Sequence, residues 1–224
     1  MSLLQRALFG LGGVILAMAV LLFAGAGTLR YWQAWVFLTA YLAASIAITL
    51  YLAEHDPALL ERRMRGGPFA EKQSSQKIIM SIASVGFIGL MLVPAIDHRF
   101  GWSQMSAPVA LAGNFLMLLG WFGIFLVFRE NSFTASTIEL AADQRVISTG
   151  PYRWVRHPMY SAALLMLFGI PIALGSWWGV LIVVAIIPII VWRLLDEERF
   201  LANNLAGYRE YQGSTRFRLL PGLW

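Results

Sequence analysis

The chain has 224 residues, of which 58% are hydrophobic and only 13% charged, with a mean hydropathy of +0.66. Soluble domains carry about 25% charged residues, so the composition excludes an ordinary soluble domain and indicates a helical bundle in a bilayer. Having no cysteine and only three histidines, it cannot form disulfides, thiolate metal sites or a cysteine nucleophile, and a histidine metal cluster is not expected. The net charge of +5 suits anionic lipid headgroups, and no nucleic-acid partner is expected.

A bilayer core of about 30 Å needs about 20 apolar residues as helix. Ala7 to Gly27 is the first such run. Arg6 alone precedes it and the run is long, which favours a retained helix over a cleaved signal peptide. Ala34 to Leu52 follows after a short turn. The stretch from Glu54 to Lys77 is polar. Within it Asp56-Pro57 predicts a short helix, with Asp56 as N-cap and Pro57 at the first position, ended by Gly66-Gly67-Pro68. Its Arg62, Arg63 and Arg65 read either as part of a solvated connector or as a basic face on lipid headgroups.

Ile78 to Ile96 and Ala107 to Phe128 are the third and fourth runs. In the fourth, Gly120 and Gly123 among bulky neighbours predict close helix packing. A long polar passage leads to Tyr160. Met159 to Leu174 and Trp177 to Leu195 then flank Gly175-Ser176, predicting a tight helical hairpin with Pro171 and Pro188 as kink positions. The expectation is an all-α integral membrane protein with about six transmembrane helices. It forms one domain over residues 1–224: four spans in 1–128, and a hairpin region in 129–224 that builds a cofactor pocket.

Six spans place both termini on one side. Fifteen Lys and Arg then fall on that side, and only Arg30 and Arg99 on the other. This positive-inside imbalance predicts cytoplasmic termini and a cytoplasmic polar face, in what reads as a bacterial inner membrane.

Two polar clusters carry the chemistry. In the first, Pro158 can start a helix without loss, because its missing N–H has no partner there. His157 is then held extended before it, able to donate to a ligand carboxylate with help from the helix N-terminus. Tyr160 on the first turn and Tyr152 upstream offer aromatic walls for an adenine ring or a sulfonium. For Tyr152, Arg153 and Trp154 an interfacial aromatic belt is an equal alternative. In the second cluster Arg193 and Glu197 share a helix face. They are either an ordinary ion pair at the membrane edge or a ligand clamp. Asp196, Glu197 and Glu198 are consecutive and cannot all face Arg193. A carboxylate holding a ligand ammonium, with the arginine clamping an anionic substrate, accounts for both.

Gly150-Pro151-Tyr152, Arg156-His157-Pro158-Met159-Tyr160, and then Arg193 with Glu197-Glu198 resemble the isoprenylcysteine carboxyl methyltransferase family, whose wider group includes the phospholipid N-methyltransferases. The likeness spans roughly residues 131–211. It implies S-adenosylmethionine as cofactor, bound in a cytosolic pocket beside a lipid-facing tunnel, and a lipidic or prenylated substrate. Carried over, Gln144, Arg145, Val146 and Ile147 line the cofactor, followed by Tyr152, His157, Pro158, Met159 and Tyr160. Glu197 takes the cofactor's ammonium, and Arg193 orients the substrate carboxylate as the catalytic and substrate-binding residue. Gln144 stands where the eukaryotic enzymes commonly carry histidine, which leaves a backbone contact as the one to carry over. A carboxylate acceptor needs no general base. An amine acceptor does, with Glu198 or Glu130 as candidates.

A second enzyme reading is an NADPH-dependent sterol or enone reductase, its 2′-phosphate held by Arg145, Arg153 and Arg156. The Arg193/Glu197 pair favours methyl transfer. A transporter would show ionisable residues in mid-span, and the apolar runs have none between their ends.

Overall fold

A computed structural model of the chain describes residues 1–66, 74–134 and 143–224. Gly67 and Pro68, expected to help end the short helix, lie outside these residues, as do Lys72 and the middle of the long polar passage. The elements in order are α1 (Leu3–Ala26), α2 (Trp32–His55), α3 (Pro57–Met64), α4 (Ser74–Phe100), α5 (Ala107–Glu130), a 3-10 turn (Gly150–Arg153), α6 (Pro158–Ala173), α7 (Trp177–Asn204) and α8 (Tyr208–Ser214).

Local chemistry sets the helix ends. Ser2 and Gln5 form a reciprocal capping box at the start of α1, and Gly27 closes that helix at φ 66°, a conformation open to glycine. Asp56 accepts from the Leu59 amide at 2.9 Å and Pro57 begins α3, as its sequence predicts. Ser176 caps α7 through the Gly179 amide at 3.0 Å.

Among the described residues, five helices are long and apolar enough to cross a membrane: α1, α2, α4, α5 and α7. The sixth apolar run, α6, has only 16 residues, or about 24 Å of helix. It nevertheless connects the two ends of the bundle. His157 precedes it at one end, and at the other the Leu174 carbonyl accepts the Tyr31 hydroxyl at 2.6 Å. The same far end holds a buried acid: Asp97 accepts from the Ser103 amide and hydroxyl, both at 2.6 Å, and from the Ser176 hydroxyl.

α6 packs most intimately on α5, where a Cβ added to Gly120 would sit 2.5 Å from the Met166 nitrogen. Added to Gly113 or Gly169, it would strike the Ala173 or Met117 backbone. The two helices therefore meet backbone to backbone, the arrangement small residues allow in a membrane.

α7 differs from its expected bounds. It has 28 residues, about 42 Å, and continues past Leu195 for more than two further turns. The acids Asp196 to Glu198 thus belong to the middle of a helix that overhangs the apolar run, and not to its end. Side chains from α1, α2, α4, α6 and α7 form the main core around Leu22, Phe37, Leu90, Ile170 and Val183. A second cluster joins Leu59 and Leu60 of α3 to Ala7, Leu52 and Phe128.

Candidate active site

The approach to α6 is built by the C-terminal tail. The amides of Arg156 and His157 donate to the carbonyls of Phe217 and Arg218 at 2.9 and 3.0 Å, and the Ser161 hydroxyl donates to Leu219 at 2.6 Å. Arg156 also places Nη1 on the carbonyls of Thr215 and Arg216, each at 2.8 Å. This fixes the first turn of α6 against the overhang of α7.

Between them lies a cavity of about 540 Å³, well within the usual range for small-molecule sites. Gln144, Arg145, Val146, Ile147, Tyr152, His157, Pro158, Met159, Tyr160, Arg193 and Glu197 all line it. Every residue that the family resemblance assigned to the cofactor or substrate therefore comes to one wall system. Its inner side is apolar, formed by Trp121, Ile124 and Met166 with Tyr41.

The three consecutive acids separate by direction. Asp196 accepts from Ser75 at 3.1 Å and from the Gln76 amide group. Glu198 turns the opposite way and is buried. It accepts from Arg156 Nε at 2.7 Å and Arg218 Nε at 2.9 Å, and its Oε1 lies 3.2 Å from His157 Nε2. Only Glu197 reaches the cavity, where its Oε2 accepts from the Tyr160 hydroxyl at 2.6 Å.

Two sequence expectations gain detail. His157 lines the cavity, and its Nε2 lies against Glu198, so one of its ring nitrogens serves the scaffold. Glu198 also drops out as a general base: it is enclosed by cationic donors and does not line the cavity. Glu130, the other candidate, takes the Thr149 hydroxyl and lies outside the lining. Trp154 is 64% exposed, with Arg153 5.8 Å over its ring, which suits the interfacial alternative, whereas Tyr152 faces inward.

Aromatic walls close the polar side. Asn131 Nδ2 donates to Tyr152 Oη at 2.8 Å, and Tyr211 Oη donates to the Tyr152 carbonyl at 2.7 Å. Burial pushes Tyr152 and Tyr208 well above the ordinary phenol pKa, reinforced by nearby carboxylates. Tyr211 rises to about 12, mainly through burial. All three stay neutral in working conditions, as walls facing a cation should. Among the described residues, the Tyr208 hydroxyl and the Trp121 indole N–H are buried without a hydrogen-bond partner, and both residues line the cavity. Buried polar groups are normally satisfied, so these orphaned atoms fit a site shaped for a guest molecule.

Sequence reading missed Arg63, Tyr208 and Tyr211 as cavity residues. For Arg63 a signal existed: it follows Leu59 by four and Leu60 by three, placing it on their helix face. For the α8 tyrosines no comparable pattern precedes the fold.

The family model for phospholipid methyltransferase matches residues 109–207. That stretch runs from α5 through the hairpin to the end of α7 and so contains most of the cavity wall. A search of curated proteins returned no match to the chain.

Proposed function

With the chain read as a membrane methyltransferase, we propose that it uses S-adenosylmethionine to methylate the acid group of a lipidic or prenylated substrate, in the manner of isoprenylcysteine carboxyl methyltransferases. The observation that carries this reading is one cavity with two characters. Its polar wall presents Glu197 and Arg193, and its apolar wall is Trp121, Ile124 and Met166. A cofactor with a charged amino-acid end and a lipidic acceptor need those two surfaces side by side.

S-adenosylmethionine would supply an electrophilic methyl group on a sulfonium. Glu197 would receive the ammonium, with Tyr160 holding its carboxylate in place. Tyr152, Tyr208 and Tyr211 offer π faces to the cationic and adenine parts. The backbone of residues 144–147 and the side chain of Arg145 complete the cofactor wall. Arg193 would hold one oxygen of the acceptor carboxylate, leaving the other to attack. Alignment is the main catalytic contribution of such a site, and water is kept away by the apolar wall.

Glu197 is the only Asp or Glu among the described residues lining the cavity. With it assigned to the ammonium, no other carboxylate among the described lining residues is left to deprotonate an amine, which supports O-methylation. N-methylation of a phospholipid amine is the second reading, favoured by the description of the matching family. The fifteen-to-two distribution of cations supports placing the cavity on the cytoplasmic side of a bacterial inner membrane.

Calorimetric titration of the full chain in detergent with S-adenosylmethionine and with NADPH tests the cofactor. Binding of NADPH alone would end the methyltransferase proposal in favour of a reductase. Lipid extracts incubated with radiolabelled cofactor then separate the acceptors: an ester releases methanol in mild base, and a methylated amine does not.

A further inference from the structure

α4 and α7 pack closely side by side: a Cβ added to Gly86 would lie 2.8 Å from the Ile186 side chain. Further along that contact, where α4 begins, Gln76 is 0% exposed and reaches two residues of the α7 overhang. Its Oε1 accepts from Arg193 Nη1 at 2.8 Å. Its Nε2 donates to Asp196 Oδ2, which also takes the Ser75 hydroxyl at 3.1 Å. On its other side Arg193 hydrogen-bonds the Tyr160 phenol, whose proton goes to Glu197 at 2.6 Å. Hydrogen bonds thus run from Asp196 through Gln76, Arg193 and Tyr160 to Glu197. The sequence begins and ends on neighbouring residues of α7 and passes through α4 and α6 on the way.

The residue types fix how Gln76 must stand. A guanidinium only donates and an ionised carboxylate only accepts, whereas an amide does both. Gln76 therefore fits between Arg193 and Asp196 in one orientation, oxygen to the arginine and nitrogen to the acid. A carboxylate in its place would face Asp196 as a like charge. An apolar side chain would withdraw a buried partner from both neighbours. Arginine side chains have much rotamer freedom, and this contact restricts it. We infer that Gln76 is a positioning residue, whose amide holds the Arg193 guanidinium in its working orientation at the cavity wall and sets Tyr160 and Glu197 with it. This rests on the proposed function, in which Arg193 orients the acceptor and Glu197 takes the cofactor's ammonium.

The test uses the full chain in a nonionic detergent, as wild type, Gln76→Leu, Arg193→Ala and the double variant. S-adenosylhomocysteine affinity is measured by calorimetry, and initial rates with radiolabelled S-adenosylmethionine in a lipid extract. Gln76→Leu should slow turnover about ten- to a hundredfold, the effect of misplacing a reacting group by about an ångström. It should weaken S-adenosylhomocysteine binding only about threefold. The double variant should be no worse than Arg193→Ala, because nothing is left to position. Losses that multiply in the double variant overturn the inference, as does a Gln76→Leu protein that behaves like wild type. If Gln76→Leu fails to fold, a charge swap decides. Gln76→Glu sets two acids against each other and should be impaired. Asp196→Asn added to it restores donor facing acceptor, and should return affinity and rate to within about threefold of wild type. Impairment without recovery, or no impairment, overturns the inference. A wild type that binds S-adenosylhomocysteine but transfers no methyl group removes the methyl-transfer reading, and the affinities alone then decide the role of Gln76. A wild type that binds none removes both.

Discussion

Tyr160 and Glu197 meet through a 2.6 Å hydrogen bond from the phenol to the carboxylate, joining the first turn of α6 to the overhang of α7. Glu198, the next residue, faces the other way and gathers Arg156, His157 and Arg218. One helix thus divides two adjacent acids between cavity and scaffold, which gives them different expected mutational signatures.

For the ligand side, Glu197→Ala should weaken S-adenosylmethionine binding about ten- to a hundredfold, the size of a charge-assisted contact. Arg193→Ala should weaken it less and act mainly on turnover. Calorimetry and initial rates measured together check this, and the reverse pattern would exchange the two roles.

For the scaffold side, Glu198→Ala leaves Arg156 buried without its counter-charge and should cost about 3–5 kcal/mol. Glu198→Gln keeps an acceptor and should cost less. Thermal unfolding in detergent reads both, and a Glu198→Ala protein that melts like wild type would show that the cluster is not a keystone.

At the α5–α6 contact, Gly120→Val should destabilise by about 3 kcal/mol or more, because two backbones must separate. Gly12→Val on α1 is the control, since a Cβ there meets nothing within 4 Å. Similar unfolding temperatures for the two variants would contradict the packing.

Alkaline pH should find Tyr211. Burial raises its pKa from 10.0 to about 12, so the folded state holds the proton more tightly than the unfolded chain. The associated stability is intact below about pH 10 and is lost as pH rises towards 12. Melting temperatures of wild type and Tyr211→Phe across that window should converge, with the smaller fall in the variant. Parallel curves would show that Tyr211 does not titrate there.

Much of this molecule is written locally in its chain. The apolar runs, the Asp56-Pro57 start of α3 and the Gly175-Ser176 turn follow from hydropathy, capping and glycine chemistry, each within a few residues. The two polar clusters were legible too, because charged groups beside a membrane must find partners. Which partner each one finds was decided only by the tertiary structure. Glu197 and Glu198 differ by about 100° around a helix, and nothing along the chain says which side faces α6. Arg63 read as facing solvent or lipid headgroups, and only the docking of α3 through Leu59 and Leu60 places it in the cavity beside Phe128. Contacts between residues tens of positions apart depend on how helices rotate and cross, and glycine-lined backbone approach sets that here.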